Sequence, residues 1–243
     1  MSIFIAEIAG KDSIAAVRKF MKENSGATII PTIVYTGTEY GDRNSYYNSI
    51  EFLKSFAEED GVDFADTIEI SDGPLWNLIC AKYQYLINKK YDFYTPCIGC
   101  HMFTHLVRVP VFKSHNADGI ITGERFSHQG KLKANQHPST IRCFLDMFNE
   151  KGINLVQPLV DIRDTDLVNE YIGNDEIIRH ANDVKCVLSG NMHGFKLEEH
   201  VKDLEHYLDG FIKPVGTFCL ECLTDGGSVS IEELDEKIKE ILK

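Results

Sequence analysis

The pattern of apolar and polar positions switches repeatedly between two periods. Ile3, Phe4, Ile5 and Ile8 form a short apolar run that stops at Ala9-Gly10. Helical spacing follows at once through Ile14, Ala15, Ala16, Val17 and Phe20, and this helix runs out near Lys22–Ser25. Residues 28–35, TIIPTIVY, are β-branched and unbroken, as in a buried parallel strand. Tyr47, Ile50, Phe52, Leu53 and Phe56 predict a helix over 44–59, and DFADTIEI a third strand at 67–70. Helices are predicted over 75–87 and 101–115, with a strand over 117–123. INLVQPLVDI supplies another short strand, and DTDLVNEYI a helix capped by Asp164 or Thr165. This rhythm predicts an α/β fold with a doubly wound parallel sheet over 1–195. Residues 196–243 read as a small C-terminal helical extension. They carry an apolar stripe (Leu197, Val201, Leu204, Leu208) and a last helix with a Ser230/Glu233 capping box, buried through Ile231, Leu234, Ile238 and Ile241.

A strand, a tight glycine turn and a helix N-terminus make an anion site, because the helix dipole and its first N–H groups favour negative charge there. In doubly wound sheets ligands lie outside the strand C-termini. Three polar loops fall at such ends: Gly10–Ser13, Thr36–Asp42 and Thr122–Arg125. A fourth stretch, ERFSHQGKLKANQHP, offers Arg125, Lys131 and Lys133 as cations and His128 and Gln129 as polar readers of a substrate; a solvated surface loop is the plain alternative.

Composition narrows the partners. The 243 residues are 43% hydrophobic and 26% charged, as in ordinary globular proteins. No run reaches the roughly 18–20 apolar residues of a membrane span, and the N-terminus has no export signal, so a cytoplasmic protein is expected. Lys plus Arg is 25 against 37 Asp plus Glu, a net charge of −12. That weighs against an extended nucleic-acid surface and towards a smaller substrate, although a local basic groove is compatible with it. Seven cysteines in a reducing compartment are a poor disulfide framework. Four of them fall in two C-x-x-C pairs, Cys97/Cys100 and Cys219/Cys222, a spacing that serves metal, cluster or redox chemistry, while Cys80 and Cys143 have apolar surroundings.

IAGKDS matches neither the Walker pattern nor G-x-G-x-x-G. It resembles the S-G-G-x-D-S loop of the PP-loop ATP pyrophosphatases, which have a HUP-type α/β fold: Gly10, Lys11, Asp12 and Ser13 match, while Ile8 and Ala9 replace the first Ser and Gly. VYTGTEYGD is similar to the second-strand loop of phosphoadenosine-phosphosulfate reductase-like members, with Tyr35 in place of Asp and Thr36 and Gly37 matching. ITGER resembles the fourth-strand loop, and VQPLVDIRDTDLVNEYI a later segment, so the matches span about residues 3–172. The resemblance implies ATP bound by Ala9, Gly10, Lys11, Asp12, Ser13, Thr36, Gly37, Gly123 and Arg125. It implies attack at the α-phosphate with release of pyrophosphate, Lys11 and Mg²⁺ stabilising the departing charge. Asp12 would bind the metal or cap the helix.

CIGCH has the form of a haem attachment signal, and His101 and His105 follow closely enough to complete a zinc site with Cys97 and Cys100. A third reading comes from the tRNA 2-thiolation branch of the same family, which carries a 4Fe–4S cluster on three cysteines. Cys97 and Cys100 match its first pair, and Cys186 in KCVLSG its later cysteine, with Ser189 replacing that element's second one. Soft thiolates suit either zinc or iron–sulfur. The leading expectation is an ATP-dependent, adenylating sulfurtransferase acting on a tRNA base or a small molecule. It would use a sulfur donor and a cluster on Cys97, Cys100 and Cys186, need no membrane, and leave a homodimer open. One alternative is a reductase-like enzyme with Cys222 or Cys219 as catalytic thiol. The other is a non-catalytic nucleotide- or zinc-binding module.

Overall fold

The computed structural model describes residues 2–126, 133–173, 176, 184–188 and 197–243. β1 (Ile3–Glu7) and β2 (Thr28–Tyr35) run parallel, with Ile5 opposite Ile30. β4 (Asp63–Phe64) and β5 (Ile68–Ser71) extend the outer edge of β2. On the other side of β1 lie β6 (Gly119–Ile121) and then β7 (Leu155–Val156), again parallel.

Successive strand residues face opposite ways, so the sheet divides the apolar interior into two clusters. Ile5, Ile30, Val34 and Ile120 pack with α4 (Gly73–Cys80), α5 (Gln84–Tyr91), α6 (Pro96–Leu106) and α8 (Pro138–Glu150). Ala6, Ile29, Ile33 and Ile121 pack with α1 (Lys11–Glu23), α2 (Asn44–Lys54) and α9 (Thr165–Ile172). A sheet covered on both faces explains the unbroken apolar strands, and this is the doubly wound α/β architecture expected from the pattern.

Three predicted helices are interrupted. The 101–115 segment divides into α6 and α7 (Val109–Ser114), because Pro110 has no N–H and its ring would collide with the Leu106 carbonyl in a continuous helix. The 75–87 segment divides into α4 and α5, with the Tyr94 hydroxyl donating to the carbonyl of Cys80 at the end of α4. The 44–59 segment becomes α2 and the single turn α3 (Ala57–Asp60). α8 has no counterpart in the sequence reading. A small antiparallel ribbon also appears, β3 (Glu39–Tyr40) against β8 (Lys185–Cys186).

At the C-terminal end come α10 (Val201–Tyr207), a π-helical turn, α11 (Lys213–Asp225) and α12 (Ile231–Leu242). Leu204, Phe211, Val215, Leu220, Leu234 and Ile238 join the same cluster as Phe103 and Phe144. Gly216 allows the close approach of α11: a Cβ there would stand 2.7 Å from Met102 Sδ and 2.8 Å from Met147 Sδ. Ser230 Oγ caps α12 by accepting from the Glu233 N–H at 3.3 Å, and Asp164 caps α9 by accepting from the Asp166 N–H at 2.8 Å. No helix among the described residues is long and apolar enough to cross a membrane.

Candidate functional site

Strand order reverses at β1, with β2 on one side and β6 on the other, which opens a crevice outside their C-terminal ends. A cavity of about 390 Å³ lies there. Its walls are the 9–13 turn, Gly123–Arg125 after β6, and His101, Lys133 and Gln136 opposite.

The turn after β1 is organised by one hydroxyl. Ser13 Oγ accepts from the N–H groups of Ala9 (3.0 Å) and Gly10 (3.2 Å) and donates to the Gly10 carbonyl (2.8 Å). Those two N–H groups are thus taken internally. Helix geometry still aims the first-turn N–H groups of α1 out of its N-terminus, towards the cavity. Gly123 is required by space: a Cβ would lie 2.5 Å from Ser13 N and 2.7 Å from Ser13 Cα. The β1 and β6 loops are therefore in backbone contact, which holds Gly10–Ser13, Gly123 and Arg125 together.

Charges of both signs line the cavity. Buried Arg125 approaches Asp12 (NH2 to Oδ1, 3.2 Å), and Lys11 Nζ donates to Asn169 Oδ1 of α9 at 3.2 Å. Lys133 lines the far side. Burial lowers its ammonium, while the charge of Asp12 opposes that shift. On the floor, Glu7 accepts from the Gly123 N–H at 3.4 Å. Beneath it Arg108 is buried, with Nε donating to Thr32 Oγ1 (2.8 Å) and NH1 3.8 Å from Glu7 Oε1.

The second wall is a histidine held at both nitrogens. His101 Nδ1 lies 2.9 Å from Glu124 Oε1, and His101 Nε2 lies 2.9 Å from Asn135 Nδ2. His105, one turn further along α6, points Nε2 at the same Glu124 oxygen (3.5 Å) and packs edge-on against Phe144 and Phe148. Burial by itself would raise the Glu124 carboxyl, but the charge and hydrogen bond of His101, with His105, hold it well below the usual carboxylate range. Burial works to lower His101, and Glu124 overcomes it, so the imidazole is raised. As zinc ligands beside Cys97 and Cys100, these two histidines do not serve: both turn to Glu124, because positions four apart share one helix face.

Cys97 and Cys100 stand on the first turn of α6, Cys186 on β8. Trp76 Nε1–H donates to Cys100 Sγ (3.4 Å), and Thr38 Oγ1 lies 3.2 Å from Cys186 Sγ. Burial first, then the neighbouring Cys186 and Cys97, push the Cys100 thiol up to about 12, although the Trp76 hydrogen bond works against this. Cys97 is raised by burial and Cys186, against the Thr95 hydrogen bond and the charge of Lys133. The three thiols are thus within electrostatic reach of one another, and Cys97 within that of a cavity cation. As soft donors they fit a thiophilic metal or cluster in kind. Among the described residues, however, no group of three or more His, Cys, Asp or Glu side chains is arranged as a ready metal shell.

The other candidates are dispersed. Thr36 and Gly37 do not line the cavity; their N–H groups hold the carboxylate of Glu39 at 2.7 and 2.9 Å, beside the Cys186 ribbon. Cys219 is buried in α11, and Cys222 is half-buried near Glu233 and Glu221, outside the cavity lining. His128, Gln129, Lys131 and Ser189 lie outside the described residues. Glu7, Glu124, Asn135 and Gln136 were not singled out from sequence. Glu124 stands between Gly123 and Arg125 in ITGER, and Asn135 and Gln136 lie in the ERFSHQGKLKANQHP stretch, whereas Glu7 carried no signal.

No family model matches the chain. Among solved structures, the U34-tRNA thiolase NcsA from Methanococcus maripaludis with its [4Fe-4S] cluster is 12% identical, covers 93% of this chain and 72% of its own, and superposes with a TM-score of 0.37. That score is too low to establish a shared fold or function. Uncharacterized protein MJ0009 of Methanocaldococcus jannaschii is 32% identical over 191 residues, which are 78% of this chain and 68% of that protein. With that identity across most of both chains, the protein belongs to one family with MJ0009.

Proposed function

We propose that the protein is an ATP-using enzyme of the PP-loop pyrophosphatase type that adenylates a substrate oxygen and then exchanges AMP for sulfur. One observation carries this reading: in a chain of net charge −12, the N-terminus of α1 and three cations, Lys11, Arg125 and Lys133, meet in one cavity, where Glu7, Asp12 and Glu124 are the carboxylates. The cavity stands at the reversal of strand order, where phosphate groups are favoured.

On this reading the residues of the cavity divide the work. Ala9, Gly10 and Ser13 shape the turn, and the first N–H groups of α1 face the pyrophosphate. Lys11, Arg125 and Lys133 neutralise charge as the bond from the α-phosphorus to the bridging oxygen breaks and pyrophosphate leaves. Asp12 is the carboxylate nearest the turn for Mg²⁺, with Arg125 beside it. In the second half-reaction a donor's sulfur attacks the activated carbon, and the carbon–oxygen bond to AMP breaks. Cys97, Cys100 and Cys186 would hold a 4Fe–4S cluster, or Zn²⁺ in the alternative. A cluster on three thiolates supplies one iron open to a sulfur donor. The substrate is a small molecule or a single tRNA base, the first favoured by the acidic chain.

Anaerobically purified protein, given Mg-ATP, sulfide and either unmodified tRNA or small carbonyl compounds, is expected to yield AMP and pyrophosphate by ³¹P NMR. ADP and phosphate, or failure to bind nucleotide, would overturn the reading. Stoichiometric zinc without iron or sulfide would remove the cluster from it.

A further inference from the structure

His101 joins three separate pieces of the chain. Through its Nδ1 it meets Glu124 of the loop after β6, and through Nε2 it meets Asn135 of the 3₁₀ turn Ala134–Gln136, at 2.9 Å each. It is itself the residue after Cys100 on α6. Each contact is flanked by a residue facing the cavity: Arg125 follows Glu124, and Gln136 follows Asn135. Glu124 and Asn135 are buried. His101 Nδ1 faces the Glu124 carboxylate and Nε2 faces the Asn135 amide, so the ring cannot turn without breaking both contacts. Arg125 carries the connection on to Asp12 in the first turn of α1.

We propose that His101 is a positioning residue that couples occupancy of the nucleotide cavity to the C-x-x-C turn of α6, so that the Cys97 and Cys100 thiols are ordered when nucleotide is bound. This rests on the cavity being a nucleotide site. A ligand that draws Arg125 and Lys133 inwards displaces the backbone on either side of Glu124 and Asn135. The two hydrogen bonds to His101 pass that displacement to α6 at the residue next to Cys100. Coupling of this kind is reciprocal, so filling the thiol site tightens nucleotide binding by the same factor.

The test is hydrogen–deuterium exchange with and without Mg²⁺ and α,β-methylene-ATP, on wild type, His101→Ala, Asn135→Ala and Glu124→Gln. In wild type the nucleotide is expected to slow exchange over 9–20 by direct contact. Over 94–106 it slows exchange by about fivefold or more, the lower end of ordinary coupling factors. At saturating nucleotide, His101→Ala, on the cavity wall, loses the second effect. Asn135→Ala, whose side chain is outside the cavity lining, weakens the second, and Glu124→Gln retains most of it because the amide oxygen still accepts from Nδ1–H. Protection over 9–20 with none over 94–106 in wild type, or an unchanged second effect in His101→Ala and Asn135→Ala, overturns the coupling alone. No protection over 9–20, with no binding heat by calorimetry, overturns the nucleotide reading and the coupling together.

Discussion

Gly123→Ala tests whether contact between the β1 and β6 loops sets the anion site. The added Cβ would stand 2.5 Å from Ser13 N, 2.7 Å from Ser13 Cα and 2.9 Å from Asp12 C, all backbone atoms that cannot rotate away. An ordinary separation is about 3.5 Å, so the first turn of α1 must retreat by roughly 1 Å. Overpacking of this kind costs about 1–3 kcal/mol. For a chain of this size that lowers Tm by about 2–12 °C. The larger effect falls on the ligand. Misaligning one charge-assisted N–H bond to a phosphate loses about 1.5–3 kcal/mol, which weakens Kd about 10- to 150-fold. Titration calorimetry with Mg-ATP and with pyrophosphate reads the affinity, and scanning calorimetry the melting. Gly216→Ala is the control, since its new Cβ meets only the flexible ends of Met102 and Met147: binding should be unchanged and Tm slightly lower. A Gly123→Ala protein with wild-type Kd and Tm would refute the reasoning.

Ser13→Ala removes the acceptor of the Ala9 and Gly10 N–H groups and should cost about 1–3 kcal/mol, seen as a lower Tm and weaker pyrophosphate binding by calorimetry. The Glu124–His101 pair should make stability depend on pH in a defined window. Glu124 is depressed, so its contribution is present above the unfolded carboxylate range and is lost as pH falls towards its folded value. His101 is raised, so its contribution is present below an unfolded pKa of about 6.5 and is lost as pH climbs through the higher folded value. The Tm difference between wild type and Glu124→Gln is therefore expected to be larger at about pH 6 than at about pH 8.5; the reverse order would contradict the pairing. In metal-free protein, Cys100, pushed up to about 12, should hold roughly a thousandfold less thiolate than an ordinary cysteine and alkylate far more slowly than half-exposed Cys222. Site-resolved mass spectrometry after iodoacetamide treatment checks this.

The sequence by itself determined the layered α/β architecture, because strands covered on both faces must be continuously apolar and helices covered on one face must repeat near every fourth residue. That logic places Ile3–Glu7 and Thr28–Tyr35 correctly and puts the special loops at strand C-termini. It runs helices together where a break depends on one backbone bond, as at Pro110. Pro138–Glu150 is left unassigned by it, although Ile141, Phe144 and Phe148 have helical spacing and are buried. Only the tertiary structure decided which charges meet. Glu124 and His101 are 23 positions apart, Arg125 and Asp12 are joined by the crossing of β6 beside β1, and a two-residue ribbon holds Cys186 within electrostatic reach of the α6 thiols. Such contacts leave no period in the sequence. They arise where the sheet brings strand ends together, and the site is assembled from those ends.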